Sequence, residues 1–184
     1  MSTTLIIVLI IVAALVLWGI SMQNKLVQSD ELCNNALKQI NVQQISRYDA
    51  LKALIKLTRE YASYESETLE KVIAQRRITS SANPTVADIN ANEQALQEVS
   101  AKLIAVAEQY PDLKANQNYQ QTMADIKQYE ENVRLSRMTF NDTVTKFNNM
   151  VRMFPGSLVA GILGFGKREY LADEPAKKDY PEIL

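Results

Sequence analysis

The chain has 184 residues, with 20 Lys plus Arg against 21 Asp plus Glu and a net charge of −1. That balance offers no cationic excess to a phosphate backbone and argues against a dedicated nucleic-acid binder. Five glycines, five prolines, no histidine and one cysteine exclude a turn-rich β fold, histidine acid–base or phospho-relay chemistry, an internal disulfide and a thiolate metal cluster.

The first element is LIIVLIIVAALVLWGI, Leu5 to Ile20, apolar throughout, and no charged side chain appears before Lys25. With Ser2 to Met22 included it is long enough for the ~30 Å hydrocarbon core at about 1.5 Å per residue. Trp18 stands near its far end, where an amphipathic ring suits the interface. A cleaved signal peptide needs a positive leader and a small-residue cleavage site. No Lys or Arg precedes the run, ISMQN after it holds no Ala-x-Ala, and Asp30-Glu31-Leu32 before Cys33 is no lipobox. Residues 1–24 are therefore expected to be a retained, single-pass transmembrane anchor. Lys25 and Lys38 follow the span, which by the positive-inside rule puts the body in the cytoplasm; a periplasmic body stays open.

Helical spacing continues after the anchor. Leu26, Cys33, Leu37, Ile40, Tyr48, Leu51, Ile55 and Ala62 follow one stripe, prolonged by Leu69, Val72 and Ile73 towards Arg76. Cys33 on that stripe reads as a small buried apolar residue. Ser46-Arg47-Tyr48-Asp49 has capping-box form, so a break in the helix is expected there. SSANPTV, Ser80 to Val86, reads as a loop. A second stripe holds Ile89, Leu96, Leu103 and Tyr110, with Val99 and Val106 between, and Pro111 stops it.

The third stripe is the most regular. Tyr119, Met123, Ile126, Glu130, Val133, Arg137, Phe140, Val144, Phe147, Val151 and Phe154 alternate steps of four and three. This is a coiled-coil-like heptad seam, which requires a facing partner, and Pro155-Gly156 ends it. Two charges interrupt it, Glu130 and Arg137. Burying either alone would cost several kcal/mol, so each needs a partner. Arg134 and the Arg47-Tyr48-Asp49 step are the candidates. Glu130, Arg137 and Arg47 thus form the expected structural polar pair of the core, a register lock; a ligand or proton site is the alternative.

GILGFGKR, residues 161–168, matches a phosphate-binding loop at all but its last position. That loop needs a strand before it, a helix after it, and Ser or Thr where Arg168 stands. A long helix precedes it instead, so nucleotide binding is not expected. Two readings remain for the segment. Leu158, Ile162, Phe165 and Tyr170 fold back over the end of the bundle, or the apolar residues dip into lipid with Lys167 and Arg168 at headgroups. Leu158, Ile162, Phe165, Lys167 and Arg168 are thus the candidate interfacial or partner segment. Lys52, Lys56 and Arg59 make a short basic stripe, read as a solvated helix face.

Several of these strings resemble the LemA family. Ser46-Arg47-Tyr48-Asp49-Ala50-Leu51 with Leu54-Ile55 is similar to the family's RRYDLI region, and Tyr110 to Asn116 to its YPDLKAN motif. Glu130 and Arg137 fall on its ExxxxxxR pair, Phe140-Asn141 and Phe147-Asn148 on its aromatic-Asn steps, and Phe154-Pro155-Gly156 with Gly164-Phe165 on its ending. Ser46, Lys52 and Leu37 depart from the usual Arg, Pro and Trp, which puts in question the shape of the first long segment, a kink at Lys52 above all. The resemblance covers nearly the whole chain. It implies a single-pass protein of the bacterial inner (plasma) membrane with a helical body and no established catalytic activity; separately, no cofactor is expected. Members are often encoded near membrane metallopeptidases or TPM-domain proteins, which suggests such a partner.

The expected architecture is all-α: an N-terminal transmembrane helix (1–24), then a bundle of three or four long antiparallel helices (25–155), then an apolar segment and tail (156–184). The expected function is that of a non-enzymatic, membrane-tethered scaffold that assembles as a homo-oligomer or binds membrane partners. The alternative is an accessory subunit of a membrane protease or other membrane enzyme complex. No catalytic, cofactor-binding or metal residue is assigned.

Overall fold

The computed structural model describes residues 3–62, 67, 69, 70 and 83–172. Val72, Ile73 and Arg76 of the first stripe lie outside that set, as do Ser80 to Ala82 of the loop. Every regular element among the described residues is a helix: α1 Thr3–Thr58, α2 Val86–Gln109, α3 Pro111–Ala115, α4 Gln117–Arg152 and α5 Gly156–Leu163.

α1 is one helix of 56 residues, about 84 Å long at 1.5 Å per residue. Its apolar start is exposed on all sides, from Leu5 to Val12 and again from Leu15 to Trp18. From Leu26 on, only one stripe is buried: Leu26, Ser29, Cys33, Leu37, Ile40, Asn41, Gln44, Arg47, Leu51, Leu54, Ile55 and Thr58. The same helix therefore serves as apolar rod and as bundle member, with no break at residue 24. The expected break at Ser46 is absent. Ser46 Oγ donates to Val42 O, 3.1 Å away and one turn back, so the hydroxyl joins the helix instead of ending it. No glycine or proline stands between Gly19 and Thr58 to permit a bend.

The true capping box is at Thr85. Its Oγ1 accepts from Asp88 N at 3.1 Å, and Asp88 Oδ2 accepts from Thr85 N at 2.9 Å. Tyr110 leaves helical geometry (φ −120°, ψ 87°) ahead of Pro111, as a residue before proline does. Pro111 then opens α3, and Asn116 caps α4 by accepting from Tyr119 N.

α4 presents its seam to α1. Tyr119, Ile126, Val133, Arg137, Phe140, Val144 and Phe147 are buried, and Met123, Glu130 and Val151 partly so. Phe154, expected to close the seam, is 80 % exposed. α4 stops at Arg152, and Met153 is extended (φ −86°, ψ 138°), so Phe154 loses the helical phase before the cis Phe154–Pro155 bond.

The pairing fixes direction. Arg47 meets Glu130 on α4, and Met22 just past the apolar run meets the Met150–Gly156 turn, so α4 runs antiparallel to α1. α2 rises alongside α1 in the same direction: Gln44 meets Ile89, Arg47 meets Ser100, and Tyr61 meets Asn116 just beyond α2. Two apolar clusters result. One gathers Leu51, Leu54, Leu69, Leu96, Leu103 and Ile126; the other gathers Leu26, Cys33, Ile40, Val133, Phe140 and Phe147.

The caps give a prediction. Thr85→Ala removes the N-cap of α2 and should cost about 1 kcal/mol, while Ser46→Ala, which caps nothing, should stay within about 0.5 kcal/mol. The hydrogen bonds from Thr85 hold the Asp88 carboxyl below its usual range. Because its folded value lies below the unfolded one, the Asp88 contribution is present above the unfolded value and is lost as pH falls through the folded one. Thermal midpoints in mild detergent across an acid series test both points, and equal losses in the two variants would contradict the assignment.

Candidate functional site

Between the two apolar clusters lies a charged layer. Arg47 is 1 % exposed and sits in the α1 seam, so its guanidinium cannot reach water and must be met by protein. Nη1 donates to Glu93 Oε1 at 2.8 Å; Nη2 donates to Glu130 Oε1 at 2.5 Å and to Ser100 Oγ at 3.2 Å. Gln44 Nε2, one turn earlier, donates to Glu93 Oε2 and to Ile89 O, both at 3.0 Å. Both Glu93 oxygens are thereby engaged, and α1, α2 and α4 meet at one cation.

Of the three residues assigned to the core pair, the structure brings Arg47 and Glu130 together. Arg137 is elsewhere. Its Nη2 donates to Ala172 O at 2.6 Å, and its guanidinium lies 3.4 Å from Asn90 Oδ1. Arg134, the other candidate for Glu130, pairs with Glu131 on the surface. Glu93, Ser100 and Gln44 were missed. Their signal lay in the pattern: Ile89, Glu93, Leu96, Ser100 and Leu103 alternate steps of four and three, as do Ile40, Gln44, Arg47 and Leu51. Glu93 and Ser100 lie on that stripe as polar residues, so a count of apolar positions alone leaves them out.

Arg137 belongs to a second device. After α5 the chain runs back along α4 as an extended strap, residues 165–172. Asn148 Nδ2 donates to Arg168 O while its Oδ1 accepts from Arg168 N, at 3.0 and 2.9 Å. Asn141 does the same to Leu171, at 3.1 and 3.0 Å. These side-chain amides pair with the strap's backbone as a strand would, and Arg137 takes the next carbonyl. Leu171 and Ala160 are buried by the arrangement, and Phe165 packs edge-on to Phe147 with centroids 6.2 Å apart.

The candidate interfacial residues therefore divide. Phe165 packs on the bundle, and Arg168 is held by Asp30 (2.7 Å) and Asn34 (2.8 Å), with its charge over the Phe147 ring. The Asp30 carboxylate raises the Arg168 pKa further. Leu158, Ile162 and Lys167 are exposed, and so is Tyr170. Of the fold-back reading, Phe165 alone of its four residues packs inward. GILGFGKR begins inside α5 and leaves it through Gly164 (φ 75°), so a helix ends there where a phosphate loop would open one. Burial pushes the Cys33 thiol up, away from reactivity. Among the described residues no group of His, Cys, Asp and Glu is placed to hold a metal ion.

An unburied apolar helix of membrane-spanning length that continues into a bundle locked by one buried arginine defines the class: an all-α body led by a candidate anchor. The chain belongs to the LemA family, whose model matches residues 36–184. It is 25 % identical over 138 residues to Protein LemA of Metamycoplasma hominis, a match covering 75 % of this chain and 63 % of that one. It is 29 % identical over 75 residues to Magnetosome protein MamQ 2 of Paramagnetospirillum magneticum and to Magnetosome protein MamQ of Magnetospirillum gryphiswaldense. Those matches cover 41 % of this chain and 28 % of each MamQ, so the chain spans less than two thirds of these relatives.

Burial ranks the carboxylates of the layer. The Glu93 side chain is 9 % exposed and that of Glu130 40 %. Arg47→Met strands Glu93 and should cost about 3–5 kcal/mol. Glu130→Gln, screened by water, should cost about 1 kcal/mol or less. Urea unfolding in mild detergent measures both; a larger loss for Glu130→Gln would overturn this ranking.

Proposed function

We propose that the chain is a non-enzymatic, single-pass protein of the bacterial inner membrane whose helical body is a tethered scaffold, assembling with copies of itself or with a membrane partner. One observation carries the reading. The 18-residue apolar window of α1 has 0 % of its residues buried, yet α1 goes on without a break to become a principal helix of the bundle. A helix apolar all round and covered by nothing suits hydrocarbon. A soluble core helix would be buried by its own fold.

The anchor sets what weak contacts can achieve. Confinement to a membrane raises the effective concentration of bodies, so lateral contacts of modest strength suffice for assembly. Exposed Leu135 and Met138 on α4, with Val27, Leu32 and Val42 on α1 and Ile104 on α2, are among the apolar residues of the body open to such contacts. The charged layer is spent within the bundle, which favours a mechanical role for it over a chemical one. Lys25 and Lys38 favour a cytoplasmic body. The magnetosome relatives, matched over a minority of their length, add no partner to this reading.

The test is recovery from native membranes. Carbonate washing should leave the full-length chain in the pellet, and affinity capture in mild detergent should return a species larger than one chain. Capture of self alone supports the scaffold. Stoichiometric recovery of one different membrane protein, a metallopeptidase or a TPM-domain protein, would favour the accessory-subunit reading. A monodisperse monomer at high concentration, with nothing bound, would sink both.

A further inference from the structure

We propose that α5 makes a second membrane contact, with Phe154, Leu158 and Ile162 entering the boundary between headgroups and acyl chains of the leaflet from which α1 emerges. This rests on the anchor reading of Leu5–Ile20 and adds to it a lipid-facing surface on the body itself.

Large apolar side chains are left open here by a helix that is otherwise well docked. Gly156 and Ala160 turn one face of α5 into the bundle and are buried. Leu158 and Ile162, four residues apart on one helix face, are 58 % and 85 % exposed, and Phe154, two residues before the helix, is 80 % exposed. Apolar residues clustered in this way mark a contact surface, whereas scattered ones do not.

Their level is fixed by α1. A Cβ on Gly156 would collide with Met22 Cε and with the Met150 carbonyl, so the start of α5 lies against Met22. Met22 is two residues beyond Ile20, where the apolar span ends, or about 3 Å along the helix axis. The start of α5 therefore stands at the depth where the hydrocarbon gives way to headgroups. Lys25 on α1, Arg152 at the end of α4 and Lys167 on the strap are exposed near the same end, where cations suit lipid phosphates. Arg168 is committed to Asp30 and Asn34 and stays with the bundle.

Lipid fits this face better than a second copy does. α5 has eight residues, and one face of so short a helix falls well below the ~1,000 Å² that a stable protein interface needs. The bilayer needs no matching surface and is already present at that level.

The test uses the full-length chain in phosphatidylcholine–phosphatidylglycerol vesicles that carry phospholipid brominated near the glycerol end of the acyl chain. Trp18 is the one tryptophan. In a Trp18→Phe background, Ile162→Trp places an indole at an exposed position, and Leu135→Trp places one on the distant body. The indole at position 162 should be quenched about twofold or more, as expected for a shallow insertion, and the one at position 135 should not be. Quenching of Trp18 in the unaltered chain with none at position 162 would overturn the proposal and leave the anchor reading standing. Protection of position 162 from aqueous iodide in that case would assign the face to a second copy or another protein. Absence of quenching at Trp18 itself would remove the anchor reading and this one with it.

Discussion

The guanidinium of Arg47 holds three helices to one register. It is buried, permanently charged and forked, so it must find oxygens at defined directions. Glu93 and Ser100 supply them from α2, Glu130 from α4. A slide of either helix by one residue would turn the donor away from its acceptor and leave a charge in an apolar seam. Apolar side chains alone set no such penalty, because Leu, Ile and Val re-pack against one another at modest cost. The layer is weak evidence for extra stability, since desolvating the charges offsets much of their attraction. Its effect is to make one alignment of the bundle better than its neighbours.

A similar logic governs the strap. Among the described residues, the segment from Phe165 to Ala172 has no strand partner for its backbone. α4 provides one from its side chains, with Asn148 and Asn141 each giving a donor and an acceptor to one residue of the strap. Both asparagines directly follow seam aromatics, Phe147 and Phe140, and lie seven residues apart. The aromatic fixes the rotation of α4 in the core; the asparagine, about 100° further round, then falls at the seam's edge, where the strap passes. Burial of Leu171 and the contact of Phe165 with Phe147 depend on those amides being so aimed.

The helical layout was legible because it follows from periodicity. The heptad seam from Tyr119 to Phe147, the stop at Pro111 and the apolar lead of α1 all come from spacing or from proline geometry. What escaped was of two kinds. Ser46 and Thr85 carry the same capping chemistry, but only Thr85 stands where the chain enters a helix; Ser46 lies inside one already held by its core stripe, and tertiary packing decides between them. The second acidic partner of Arg47, Glu93, was hidden for a different reason. Arg47 and Glu93 are 46 residues apart, and a sequence names which side chains need partners more readily than it names the partners. Arg137 shows the same limit, since its carbonyl belongs to a strap with no periodic signal at all.

The absence of a hinge gives these details their common consequence. Between Gly19 and Thr58, α1 holds no glycine, no proline and no gap in its hydrogen bonding, so the apolar rod and the seam that carries Arg47 form one stiff element. A flexible linker would let the body tumble and average out its orientation. Here the direction in which Leu5–Ile20 points also sets the direction of the Arg47 layer, of α2 beside it and of α4 opposite. α5 is then tied to the same rod by the fit of Gly156 under Met22. An added methyl group at that position would have to displace both the Met22 side chain just past the apolar run and the Met150 carbonyl in the last turn of α4. The placement of α5 beside the rod therefore depends on a contact too small to accept a Cβ.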